Sequence, residues 1–333
     1  MLGWVWPPVF VVLVVWMVPR SRKSLHSRAS FAFLYPVLGV LFLSGLGGAY
    51  ETVSETFDPG PDAMPGQLVD VGDHRLHISC TGSGSPTVVL EAAMGDFSST
   101  MNAWLAPGIA RETRVCTYDR AGRGWSDPAG QPEDGAAVAT ALHSLLARAG
   151  EQGPYVLAGH SAGGIYVLNF ARLYPEDVAG VVLIDSMHPE QYERLPAWPA
   201  FYTMFKRASG LLPSLARTGV PRLVGLASGS SLPGDVWSER RDLSSTPAYY
   251  RSLRDELSEL RTALRQAGEL ESLGRTPLIV ITADKGAQEG WQPLQDDLAR
   301  LSSNSDHRHV ADATHASLVE DERTAARIDP GDP

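Results

Sequence analysis

The sequence predicts an α/β protein: an eight-stranded, mostly parallel sheet with crossover helices, preceded by a membrane-inserted N-terminal region. Three observations carry this reading. Short apolar, β-branched segments recur between residues 66 and 328, and from the third onward stretches of helical length separate them. Residues 155–172 pass from one such segment into a helical pattern through Gly159-His160-Ser161-Ala162-Gly163 alone. Ahead of residue 66 stand two long apolar runs with a basic loop between them.

Taken in order, the first 50 residues are a membrane region. Leu2–Val18 and Phe31–Tyr50 contain no charged residue, and the loop between them holds Arg20, Arg22, Lys23 and Arg28. The second run has the roughly 20 residues needed to cross a bilayer, whereas Pro7-Pro8 makes the first marginal. Trp4, Trp6 and Trp16 suit the membrane interfaces. The positive-inside rule places the basic loop in the cytoplasm and the following domain outside it, at the cell membrane. A cleaved signal peptide ending near Gly45–Ala49 fits less well, because the positive charges lie between two apolar runs instead of at the start. Residues 51–65, acidic and Pro-containing, read as an exposed linker.

The domain proper spans 66–328. Gln67–Gly72 and Arg75–Cys80 form an antiparallel hairpin over Gly72-Asp73, followed by strands at Thr87–Glu91, Arg114–Asp119, Tyr155–Ala158, Gly180–Asp185, Pro277–Ala283 and His307–Val310. At Ser161 a strand turns abruptly into a helix, which forces a strained backbone. Gly159 and Gly163 lack the Cβ atoms that would clash there. The turn lifts the Ser161 hydroxyl clear of the sheet edge, above a helix N-terminus whose dipole favours a developing oxyanion.

Charge narrows the range of partners. The net charge is −10, and beyond residue 50 the chain carries 24 basic against 38 acidic residues. With no Lys/Arg cluster in the domain, nucleic acid and anionic lipid are disfavoured as partners. No nucleotide-binding glycine loop or metal-ligand spacing is present, so neither cofactor nor metal is expected.

Eight strands with the serine after the fifth resemble the α/β-hydrolase superfamily over about residues 66–328. The likeness rests on Gly159–Gly163, on the turn Tyr118-Asp119-Arg120-Ala121-Gly122-Arg123-Gly124-Trp125-Ser126-Asp127, and on Ala313-Thr314-His315. The resemblance implies a structural role for Asp119 and Ser126. It makes Ser161 the nucleophile and His315, after the eighth strand, its base. For the acid it offers two positions: Asp185 at the end of the sixth strand, slightly preferred, and Asp284 after the seventh, two residues short of the usual place. The oxyanion donors it implies are the N–H groups of Ala162 and Ala93. It also makes the strands of Cys80 and Cys116 neighbours, so these two either form a disulfide or remain buried thiols.

Between Met187 and Leu270 the αβ alternation breaks down, where relatives of this kind carry a helical cap. Tyr192, Trp198, Phe201, Tyr202 and Phe205 give this insertion (187–270) an apolar stripe, and Thr246-Pro247 reads as a capped helix start. The expected activity is hydrolysis of an ester or related acyl bond in a small-molecule acyl substrate, through a Ser-His-Asp triad and an acyl-enzyme. A proline-releasing aminopeptidase gripping an amine with Glu190 and Glu193, a cofactor-free perhydrolase, and a non-catalytic membrane-tethered binding protein stand as alternatives. Serine at the turn argues against epoxide-hydrolase or dehalogenase chemistry, which uses a carboxylate nucleophile.

Overall fold

The computed structural model describes residues 2–25, 27–57 and 64–328. Two N-terminal helices, α1 (Trp6–Ser24) and α2 (Arg28–Phe57), pack against each other. Among the described residues α2 alone is long and apolar enough to cross a membrane. Helix α2 continues through Phe57, so the expected linker does not begin at residue 51. The reason is a partner distant in sequence: Glu51 is buried in an ion pair with Arg222. Residues 58–63 of the expected linker lie outside the described residues, as does His26.

The sheet contains β1 (Gln67–Asp70), β2 (Arg75–Thr81), β3 (Val88–Glu91), β4 (Val115–Tyr118), β5 (Tyr155–His160), β6 (Val178–Ile184), β7 (Leu278–Lys285) and β8 (Ser305–Thr314). Its order is β1-β2-β4-β3-β5-β6-β7-β8. The β1–β2 and β2–β4 pairs are antiparallel and all others parallel. Cys80 and Cys116 face each other across β2 and β4 and are joined by a disulfide.

Helices α3 (Ser98–Ala103) and α4 (Leu105–Ile109) follow β3; α5 (Gly135–Ala149) precedes β5 and α6 (Ala162–Leu173) follows it. The insertion after β6 supplies α7 (Gln191–Arg194), α8 (Trp198–Ser209), α9 (Leu212–Ala216), α10 (Val220–Ala227), α11 (Gly234–Ser244) and α12 (Pro247–Ala267). The chain closes with α13 (Trp291–Ala299), α14 (Ser317–Glu320) and α15 (Glu322–Ala326). Helix α12 starts where the sequence marks it: Thr246 Oγ1 accepts from the Tyr249 N–H at 3.1 Å, and Pro247 needs no partner in the first turn.

Successive residues of a strand point to opposite faces, which divides the core in two. Val89 and Leu157 pack under α5 and α6 with Leu145 and Leu168, while Leu90 and Ala158 pack on the other face with Met101 and Leu318. Of the insertion's aromatic stripe, Tyr202 is buried and bonds the Leu257 carbonyl of α12 at 2.9 Å, but Phe201 is exposed.

Candidate active site

The carboxyl ends of β5 and β6 hold two strained residues side by side. Ser161 has φ 56° and Asp185 φ 42°, a region L-residues rarely adopt. The surrounding backbone holds the serine there. Its N–H donates to Ile184 O at 3.1 Å, and its carbonyl accepts from Met187 N at 2.9 Å and Gly164 N at 3.2 Å. The glycines are required by contact. A Cβ on Gly159 would lie 2.5 Å from the Gly163 carbonyl carbon, and one on Gly163 would lie 2.4 Å from Glu91 O. Gly164, which the sequence reading passes over, is as constrained, with Ser186 Oγ 1.7 Å from where its Cβ would be.

His315 lies just beyond β8, and its Nδ1 is 2.6 Å from Asp185 Oδ2. The other carboxylate oxygen accepts from Trp291 Nε1 at 2.9 Å and Ala283 N at 3.3 Å, so both oxygens are engaged in a buried carboxylate. Asp284 does not share this arrangement. It projects from the exposed end of β7 onto neighbouring β8, where its Oδ1 meets His309 Nδ1 at 2.9 Å. The Ser161 hydroxyl makes no hydrogen bond among the described residues, and the His315 side chain is about half-exposed (47%).

His160 supports His315 from below. Its Nε2–H donates to the His315 carbonyl at 3.0 Å, and the two rings lie 4.6 Å apart. Burial, followed by the charge of His315, drives its pKa down to about 3, so this ring stays neutral. The other histidines find partners elsewhere: His77 bonds Asp119 at 2.8 Å and His143 bonds Asp177 at 3.1 Å. Asp119 and Ser126 brace the turn after β4, with Ser126 Oγ donating to Asp119 O at 2.6 Å and accepting from His77 N at 2.8 Å.

Ala162 opens α6 directly after the serine, and the loop after β3 lies on that helix's first turn, as the contacts of Gly163 show. Beneath this loop is a buried network that sequence reasoning missed. Arg120 donates to Ala92 O at 2.8 Å, to Ala93 O at 2.7 Å and to the carboxylate of Glu91. A trans peptide points its C=O and N–H in opposite directions. Holding those carbonyls therefore turns the N–H groups of Ala93 and Met94 away from the guanidinium.

Glu256 of α12 receives Arg120 at 2.7 Å, Arg123 at 2.5 Å and Gly95 N at 3.0 Å, which ties the insertion to the same loop. Burial works to raise its pKa, but the charges of Arg120 and Arg123 prevail and hold it below the ordinary carboxylate value. The sequence's one sign of it is Glu91, a carboxylate that closes the otherwise apolar third strand. Arg240 of α11 adds a second tie, reaching Asp96 and Glu320, each at 3.1 Å. Glu190, considered for gripping an amine, instead pairs at the surface with Arg194 at 3.2 Å.

A family model described as "Alpha/beta hydrolase family" matches residues 88–327. An uncharacterized protein of Schizosaccharomyces pombe is 28% identical over 309 residues, covering 79% of this chain and 54% of that protein. An uncharacterized vacuolar membrane protein of Saccharomyces cerevisiae is 27% identical over 134 residues, covering 35% of this chain and 21% of that protein. The chain thus spans about half the length of the first relative and less of the second. Among solved structures, a thermophilic esterase from Thermogutta terrifontis superposes with a TM-score of 0.55 at 22% identity, covering 77% of this chain and 90% of that one. At that identity the likeness speaks for the fold alone.

Proposed function

The chain belongs to the alpha/beta hydrolase family, and from that premise we propose that it is a membrane-anchored serine hydrolase acting on an ester or related acyl bond. The observation that carries this reading is the buried Asp185 carboxylate on His315 Nδ1, at the strand end next to the strained Ser161. That bond favours the tautomer with the proton on Nδ1, which turns Nε2 into the acceptor a general base requires.

In the proposed cycle Ser161 Oγ attacks the substrate carbonyl carbon while His315 Nε2 takes the hydroxyl proton. The hydroxyl–imidazole hydrogen bond forms as substrate enters. Asp185 holds the tautomer and offsets the imidazolium charge. The carbonyl oxygen becomes an oxyanion, stabilised by the N–H groups of Ala162 and Ala93. Collapse expels the alkoxide, which takes the proton from His315, and leaves an acyl-Ser161. Water then attacks the acyl carbon with His315 again as base, releasing the carboxylic acid and regenerating Ser161. Esters lead over amides because an alkoxide leaves with less assistance than an amine. A purely binding protein would have no use for the paired Asp185 and His315.

The membrane anchor is supported by α2, and an extracytoplasmic catalytic domain by the basic residues Arg20, Arg22, Lys23 and Arg28 at the junction of α1 and α2 and by the Cys80–Cys116 disulfide. A membrane-impermeant fluorophosphonate probe tests both readings. It should label the protein on intact cells, and Ser161→Ala should abolish the labelling. Label persisting in the variant would refute the nucleophile, whereas label appearing only after lysis would reverse the orientation.

A further inference from the structure

Helix α10 is built inside out for a protein in water. Its one charged residue, Arg222, is buried, while Val220, Leu223, Val224 and Leu226 are exposed, Val224 at 59%. Leu211 and Leu215, next to and within α9, are exposed on the same stretch of chain, Leu211 at 73%. A water-facing helix shows the reverse arrangement, apolar residues in and charges out. Contiguous apolar exposure of this kind marks a surface that meets something other than water.

The position of this face identifies its partner. Arg222 donates two hydrogen bonds to Glu51 of α2, at 2.8 and 3.2 Å. The connection from α9 to α10 runs against α2 so closely that a Cβ on Gly47 would lie 2.0 Å from Thr218 O, and one on Gly219 would lie 2.5 Å from Gly47 O. Gly47 and Gly48 stand at the end of the apolar run of α2, where a membrane span would leave the hydrocarbon. The exposed face of α9–α10 is therefore continuous with the exposed apolar side chains of the span, among them Leu43 and Leu46.

We propose that the α9–α10 face of the cap is a membrane-docking surface, seated in the apolar boundary of the same bilayer that α2 crosses. This rests on the membrane-anchor reading above. It needs no anionic headgroup, which accords with the acidic domain. Docked in this way, the cap places the catalytic domain against lipid, and the substrate class it favours is an acyl compound dissolved in the bilayer.

The test uses the full chain in phosphatidylcholine vesicles, with a nitrobenzoxadiazole fluorophore on single introduced cysteines; the native pair is bonded and does not react. The label is placed at Leu223→Cys, at Leu226→Cys, at Val40→Cys within α2, and at Arg254→Cys on the exposed side of α12. Folding of each variant is checked by fluorophosphonate labelling. Amphipathic faces sink roughly 5–10 Å into the headgroup–acyl boundary, so lipid with a shallow nitroxide should reduce emission at 223 and 226 more than about twofold. Position 40, at the middle of the span, should be quenched by lipid carrying its nitroxide deep in the acyl chain, and position 254 by neither lipid. If 223 and 226 behave like 254 while 40 is quenched, the docking surface is refuted and the anchor stands. If 40 is also unquenched, the anchor reading itself fails. Shielding of 223 and 226 from aqueous iodide without quenching by lipid would assign the face to a second copy and overturn the proposal.

Discussion

Replacing Asp185 by Asn separates two acids that are almost equivalent in the sequence. The carboxylate lies 2.6 Å from His315 Nδ1 and is 4% exposed, whereas the imidazole is 47% exposed. Asparagine would keep an oxygen for Trp291 Nε1 and Ala283 N, so the fold should survive with little change in Tm. Catalysis should lose two contributions. The first is the attraction between carboxylate and imidazolium, about 4 kcal/mol for unit charges about 4 Å apart at an effective dielectric of about 20. Exposure of His315 reduces that share. The second is the tautomer: an amide N–H facing Nδ1 would favour the proton on Nε2, where it cannot accept from Ser161. Together they should lower kcat by about 10³–10⁴-fold, or roughly 4–5.5 kcal/mol. Asp284→Asn should stay within about twofold of the parent, because its carboxylate serves only the exposed His309. The assay is p-nitrophenyl butyrate turnover by the full chain in detergent micelles. The assignment fails if Asp185→Asn costs less than tenfold, or if Asp284→Asn costs as much.

Glu256→Gln should leave Arg120 and Arg123 short of a buried counter-charge and destabilise the domain by about 3–5 kcal/mol. That corresponds to a fall in Tm of roughly 6–20 °C; a change under about 2 °C would show that Glu91 suffices for both guanidiniums. His160 supplies a pH dependence. Its folded pKa of about 3 lies below the unfolded value near 6.5, so acid favours the unfolded chain. The stability contributed by its neutral form is complete above about pH 6.5 and is lost at about 1.4 kcal/mol per unit below it. Between pH 7 and 5 the wild type should lose about 2 kcal/mol more than His160→Gln in urea titrations. Equal losses would contradict the buried neutral ring.

What the sequence revealed is what local geometry enforces. Backbone atoms within about 2.5 Å of any Cβ leave Gly159 and Gly163 no substitute, so the turn at Ser161 is written in adjacent residues. His315 was singled out through the resemblance, as the histidine that closely follows the last apolar strand. The eight strands were legible from their apolar, β-branched runs and intervening helices, although their order in the sheet came through the resemblance. The partner of His315 was not readable in the same way. Asp185 and Asp284 both end strands, and only the direction of each side chain separates them. The sixth strand turns at φ 42° and directs its carboxylate toward His315, while the seventh continues and offers Asp284 to its neighbour in the sheet.

Pairs formed across long stretches of chain were invisible for a different reason. Glu51 resembles a linker residue and Arg222 a cap surface residue, because each is charged and flanked by ordinary sequence. They are 171 positions apart, and Arg222 also lies 3.6 Å from the Asp242 carboxylate of α11. Burying two charges costs solvation that the pair must recover through its bidentate geometry. An exposed pair in water would contribute little, so the arrangement makes most sense where the alternative to pairing is contact with lipid. The same pairing rotates α10 so that Leu223 and Val224 face away from the domain. A helix judged by the rules for water would have been placed the other way round, with its leucines over the sheet. On the docking proposal its orientation depends on what surrounds the cap, and that surrounding medium is what the fluorophore positions at 223 and 226 report.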